Sequence, residues 1–159
     1  MMWLTNQIWR PAILCLCLFV LPGIAQAVVT DELIMIRSKQ DFTSTMVNLQ
    51  GAIKDHGYLV SRVQRVDIGL NASGFKTDHY RLVFFGKPAE MDSLQREYPH
   101  LIPYLPLKVV IFAEDEETLL VSLNPKQLLQ MYPDPALQAM FVRWQQDVIG
   151  IMRAVHSAD

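Results

Sequence analysis

Beyond residue 17 the chain contains no cysteine. That excludes a disulfide frame, a thiol nucleophile and a cysteine metal cage from everything after that point. The four histidines, His56, His79, His100 and His156, never fall at His-x-x-x-His spacing, and borderline metals need three or four convergent ligands. Ser61, Ser73, Ser93 and Ser122 lack a Gly-x-Ser-x-Gly elbow, so hydrolysis by a serine nucleophile has no local signature. No glycine-rich cofactor loop, internal repeat or low-complexity tract is present. Excess charge is also scarce. A mildly acidic balance speaks against a nucleic-acid surface and against a strongly basic membrane-binding face.

What the chain does have is a leader. Arg10 precedes the apolar run Ala12 to Leu21, Pro22 and Gly23 break it, and Ala25 and Ala27 place small residues where a signal peptidase reads. This is the pattern of a secretory signal peptide over residues 1–27. The run is about half of the roughly 20 residues that a spanning helix needs, so no permanent membrane span is expected after signal removal. Cys15 and Cys17 lie inside the run, which leaves the mature chain cysteine-free. Cleavage leaves 132 of the 159 residues, enough for one domain, and takes only Arg10 among the charged side chains. The expected address is the periplasm.

The remaining chain alternates strand and helix signals. Glu32 to Ser38 reads as a strand. Asp41 reads as a helix N-cap, followed by Phe42, Met46, Leu49 and Ile53 on one face, with Gly57 as the stop. Tyr58 to Val66 is a second strand with a wet side. Asp67 to Asp78, with two glycines and small polar residues, is expected to be a loop that includes one helical turn. His79 to Phe85 is a third strand, and Pro88 opens a short helix with Met91, Leu94 and Tyr98 inward. Pro99, Pro103 and Pro106 predict an extended segment. Leu107 to Ala113 and Thr118 to Leu123 predict a hairpin with Glu114-Asp115-Glu116-Glu117 as its acidic tip. Asn124-Pro125 opens a short helix through Gln130. Asp134 caps a last helix whose stripe Leu137, Phe141, Trp144, Val148, Ile151 and Val155 reads as core, or as a dimer seam anchored by Trp144. The order of elements points to an α+β domain with a mostly antiparallel sheet, packed by helices.

Several segments occur in an order and spacing that resemble the domain-of-unknown-function family 302. They are Val83-Phe84-Phe85-Gly86-Lys87-Pro88, Tyr98-Pro99, Leu105-Pro106-Leu107-Lys108, Glu114-Asp115 and Val121-Ser122-Leu123-Asn124-Pro125. The resemblance runs over roughly residues 32 to 132, with the last helix as an appendage. It implies a small curved antiparallel sheet and a homodimer, and no established activity. Two positions depart from the pattern: Val66-Asp67-Ile68-Gly69 stands where many members have His-Ala-Ala, and Gly86-Lys87-Pro88 where many have Gly-Asn-Pro. The chain thus divides into a signal peptide (1–27), the α+β domain (28–132) and a C-terminal helix packed on it (133–159).

The main functional pointer is the Gly86-Lys87-Pro88 turn. A glycine lets backbone approach a ligand, the following helix offers free amides, and Lys87 adds charge, so a small anion could be held with Tyr98 and His100 as neighbours and His79 from the sheet. A plain strand-to-helix turn, with glycine supplying an unusual dihedral and proline starting the helix, is the default reading. The expected function is a periplasmic accessory or binding module, non-enzymatic and without cofactor or metal, that recognises a small ligand or a periplasmic protein. The competing expectation is an enzyme or a metal- or haem-handling protein whose site forms around His79, Lys87, Tyr98 and His100 in three dimensions.

Overall fold

The structure, a computed structural model, describes residues 27–157. The expected signal segment lies outside the described residues, Ala25 included, except for its last residue, Ala27, which packs against the core. Six strands form one antiparallel sheet: β1 (Val28–Val29), β2 (Leu33–Ser38), β3 (Leu59–Arg65), β4 (Tyr80–Gly86), β5 (Leu107–Glu114) and β6 (Glu117–Leu123). Their spatial order is β1-β2-β6-β5-β4-β3, so the sheet is open, with β1 and β3 at its edges. Among the described residues there are five α-helices: α1 (Phe42–Asp55), α2 (Val66–Ala72), α3 (Pro88–Glu97), α4 (Leu128–Met131) and α5 (Pro135–His156). The α+β class with an antiparallel sheet and a C-terminal helix is as expected. None of these helices is long and apolar enough to cross a membrane.

Local chemistry accounts for the helix limits. The Asp41 carboxylate accepts from the N–H groups of Thr43 (2.8 Å) and Ser44 (3.1 Å), satisfying orphan donors at the start of α1. At its other end Gly57 takes a positive φ of 76° while Tyr58 N–H donates back to the Ile53 carbonyl (3.1 Å), the closing pattern that glycine permits. Asp134 caps α5 through the Ala136 N–H at 2.8 Å, with Pro135 at the first helical position, where no amide is lost.

Period-two alternation decides the layers. On one face of the sheet Ile34, Ile36, Val83, Phe85, Val109, Ile111 and Leu120 are buried beneath α1 and α5. The α5 stripe Leu137, Phe141, Trp144, Val148, Ile151 and Val155 is buried there too, so it is core. The two helices come close where α5 has no side chain: a Cβ at Gly150 would lie 2.8 Å from His56 Nε2. The other face keeps partial exposure all along the four inner strands. Register carries apolar side chains across it in two rows, Met35–Val121–Val110–Leu82 and Leu119–Phe112–Tyr80, and a third in which Lys108 lies opposite Phe84, with Leu33 and Leu123 on the neighbouring strands.

Three expectations need correction. Asp67 to Asp78 is not mainly loop: α2 occupies Val66–Ala72, anchored by the buried ion pair of Asp67 with Arg81. The segment after Tyr98 is not extended but a 3-10 helix over Pro99–Tyr104. Pro99 sits at its first position, where no donor is missed, whereas Pro103 lies inside it and gives the His100 carbonyl no backbone donor, the Tyr132 hydroxyl lying 3.5 Å from that carbonyl instead. The hairpin tip is tighter than four residues, since Glu114 and Glu117 still pair across it and only Asp115 and Glu116 turn, Asp115 with φ 52°.

Candidate functional site

The turn that drew attention sits between β4 and α3. Gly86 faces Met91, whose Cγ would lie 3.0 Å from a Cβ at that position, so the glycine makes room for packing rather than for an unusual dihedral. Pro88 opens α3 as expected. Lys87 makes no capping bond; its ammonium lies 4.4 Å from the centre of the Tyr58 ring, within cation–π range. The negative charge that the start of α3 favours is supplied by its own Glu90.

The remaining candidates lie elsewhere. Tyr98 ends α3, about 15 Å along a ten-residue helix from Lys87. Its ring meets His100 edge-on at 6.0 Å, and His100 stacks on Tyr132 at 5.1 Å. His79 stands just before β4, seven residues from Gly86 along the chain, about 23 Å in an extended strand. There it packs on Phe42 at 5.1 Å, with Nδ1 3.7 Å from the Asp67 carboxylate. The structure therefore brings Tyr98 and His100 together, pairs Lys87 with Tyr58, and places His79 at the opposite end of the sheet. Among the described residues no three His, Cys, Asp or Glu side chains are placed to hold a metal ion.

A polar cluster that sequence reasoning missed joins α3 and α5 to the start of β3. Tyr58, 1% exposed, donates its hydroxyl to Asp147 at 2.5 Å. Arg143 reaches Tyr58 (3.3 Å), Asp147 (3.4 Å) and Glu90, and the Trp144 indole N–H donates to Glu90 at 2.8 Å. Burial, with the Asp147 carboxylate beside it, pushes the Tyr58 phenol far up, so the hydroxyl stays a donor at any ordinary pH. Burial works against the Arg143 charge, but Glu90, Tyr58 and Asp147 outweigh it and hold the guanidinium protonated. Glu90 accepts through both oxygens, from Trp144 and Arg143, and Asp147 through Oδ2, from Tyr58 and Arg143. The chemistry of the cluster is that of a clamp. Only the Arg143–Asp147 spacing was legible as a helix pair; the partners lie 53 to 89 residues away in sequence.

Beside this clamp lies a cavity of about 120 Å³. It is enclosed by the 3-10 helix, the adjoining ends of β5 and β6, and the Asn124–Met131 segment, with Trp144 among its walls. Trp144 thus serves both features, one edge tied to Glu90 and the ring facing the cavity lining.

Among curated proteins none matches this chain. The fold is similar to the crystal structure of an uncharacterized conserved protein DUF302 from Bacillus stearothermophilus, with a TM-score of 0.69 and 19% sequence identity, covering 77% of this chain and 97% of that one. At that identity the likeness speaks for the fold alone. The family model described as domain of unknown function DUF302 matches residues 34–155, through α5 and past the residue 132 at which the resemblance was expected to end. The chain belongs to the DUF302 family.

Proposed function

We propose that the protein is an exported periplasmic accessory or binding module, not an enzyme, that works as a homodimer and recognises a small ligand or a partner protein. The observation that carries this reading is the uncovered apolar face of the sheet. Four adjacent strands, β2, β6, β5 and β4, contribute apolar side chains to it, and no charged side chain interrupts its two central rows before the paired Arg37 at the end of one. Four strands at about 4.8 Å and five residues at about 3.4 Å give a projected area on the order of 300 Å² before side-chain relief is counted. The largest continuous apolar patch on a soluble monomer is of this order, about 300–600 Å², and is often an interaction site. Two such faces stacked about 10 Å apart form a sandwich, with the same residues serving both copies. The patch falls short of the ~800 Å² per partner of a standard interface unless β3 and the rims join in, so the expected dimer is a micromolar one.

The test is a native mass spectrum of the protein recovered from the periplasmic fraction, at about 50 μM. The expected species is a dimer of chains beginning at Val28, with no stoichiometric metal or haem, and Val110→Arg in the central row converts it to a folded monomer. A monomeric parent overturns the dimer, a chain retaining residues 1–27 overturns the exported form, and a bound metal or haem overturns the accessory reading.

A further inference from the structure

We propose that the open face of the sheet stacks on a second copy in one orientation, with strands reversed, so that Lys108 of each copy meets Glu114 of the other. This deepens the homodimer proposed above and rests on it. The face is polarised along its strands. At one end Lys108 of β5 and Arg62 of β3 flank Phe84, since register places both opposite it. Neither cation has an ion-pair partner among the described residues. Alternation along β5 carries Val110 and Phe112 to the same face, and then Glu114, whose register partner Glu117 lies beside it on β6. Arg37 pairs with Glu114 and lies 3.9 Å from Glu117, which places both carboxylates on its own open side and balances one of them. Lys108 and Glu114 are therefore about 20 Å apart along one strand, with the two apolar rows between them.

A dyad between two aligned sheets allows two arrangements. With the dyad along the strands, both copies run the same way. Lys108 and Arg62 then stack on their own kind, and Glu114 and Glu117 on theirs. With the dyad across the strands, one copy is reversed and β5 lies over β5. Overlap of the apolar rows puts the axis between Val110 and Phe112, so Val110 of one copy packs on Phe112 of the other. Lys108 then lies over Glu114 or its neighbour Glu117. A lysine chain reaches a carboxylate across layers about 10 Å apart. The first arrangement sets like charges together at both ends, whereas the second makes an opposite-charge contact that symmetry repeats. An unpaired cation at the rim of an apolar face thus selects one orientation by penalising the other.

Sedimentation equilibrium in about 50 mM NaCl, where screening is weak, reads the dimer Kd of the parent and three variants. Lys108→Glu should weaken the dimer about tenfold, as two exposed pairs turned to repulsion allow, and Glu114→Lys should do the same. The double variant, which restores opposite charges across the dyad, should return to within about threefold of the parent. A Lys108→Glu dimer as tight as the parent, or tighter, overturns the proposal, because copies running the same way gain from that change. A double variant as weak as the singles also overturns it. The two readings separate cleanly: a monomeric parent overturns the homodimer itself, and a parent dimer indifferent to these charges overturns the orientation alone.

Discussion

Asp67 and Arg81 form an ion pair that is nearly closed to water, between the first turn of α2 and the helix-covered face of β4. Arg81 also donates to the Tyr80 carbonyl at 3.0 Å and lies 5.5 Å from the centre of the Phe42 ring, so its charge is held from three sides. The guanidinium hydrogen-bonded to Asp67 holds that carboxyl below its ordinary value, against the effect of burial. A carboxyl whose folded pKa lies below its unfolded one adds stability that is complete above the unfolded value, near 4, and is lost as pH falls toward the folded value. Asp67→Asn keeps the size and one acceptor but removes the charge. It should cost about 2–3 kcal/mol at pH 7, at the low end for a buried pair because the neighbouring His79 is exposed. The deficit should shrink steadily below pH 4, where the parent protein loses the same charge. Urea unfolding at pH 7 and pH 3 reads both numbers; a deficit equal at the two values would show that the ion pair is not its source.

Elements with a strong local period were legible, and those set by distant partners were not. β2, β4, β5 and β6 fall within about a residue of the expected limits because alternation is written into each strand. The caps of α1 and α5 are likewise local. By contrast α2 has no apolar stripe of its own, since its buried residue is Asp67 and the partner, Arg81, lies fourteen positions on. The 3-10 helix was hidden by its prolines, whose effect depends on which amides the turn needs. The site follows the same rule. Lys87, Tyr98 and His100 drew attention through their neighbours in sequence, whereas the Tyr58–Asp147–Arg143–Glu90–Trp144 clamp exists only once α3 lies against α5. Glu90 is its centre, accepting from both Trp144 and Arg143. Glu90→Ala strips the buried indole N–H of its acceptor and leaves Arg143 one partner fewer, with an expected cost of about 2 kcal/mol. Glu90→Gln keeps an acceptor for the indole and should cost under about 1 kcal/mol. Denaturant midpoints of the two variants decide whether the indole bond or the charge holds α3 to α5; equal losses would assign it to the charge.

For the whole molecule the decisive question is where the folding unit ends. Sequence reading set the boundary of the family resemblance near residue 132 and treated the last helix as an addition packed on it. In the structure α5 supplies seven buried apolar side chains, Leu137, Phe141, Trp144, Val148, Ile151, Met152 and Val155, to a single cluster shared with α1 and the sheet. At about 2 kcal/mol for each fully buried side chain, their removal forfeits about 14 kcal/mol. Domains of this size are held by about 5–15 kcal/mol in all. Truncation also uncovers the faces that α5 hides, including Leu49 and Ile53 of α1, and leaves Tyr58 without Asp147 and Arg143. A chain ending at Tyr132 should therefore lack cooperative thermal unfolding and near-ultraviolet dichroism, even where some helix remains. Adding residues 133–159 back as a separate peptide should restore both signals in proportion to peptide occupancy, because the groove that receives α5 is made by the rest of the fold. A truncated chain that melts cooperatively on its own would make α5 an accessory to a smaller domain, and Trp144 would then belong to the site without belonging to the core.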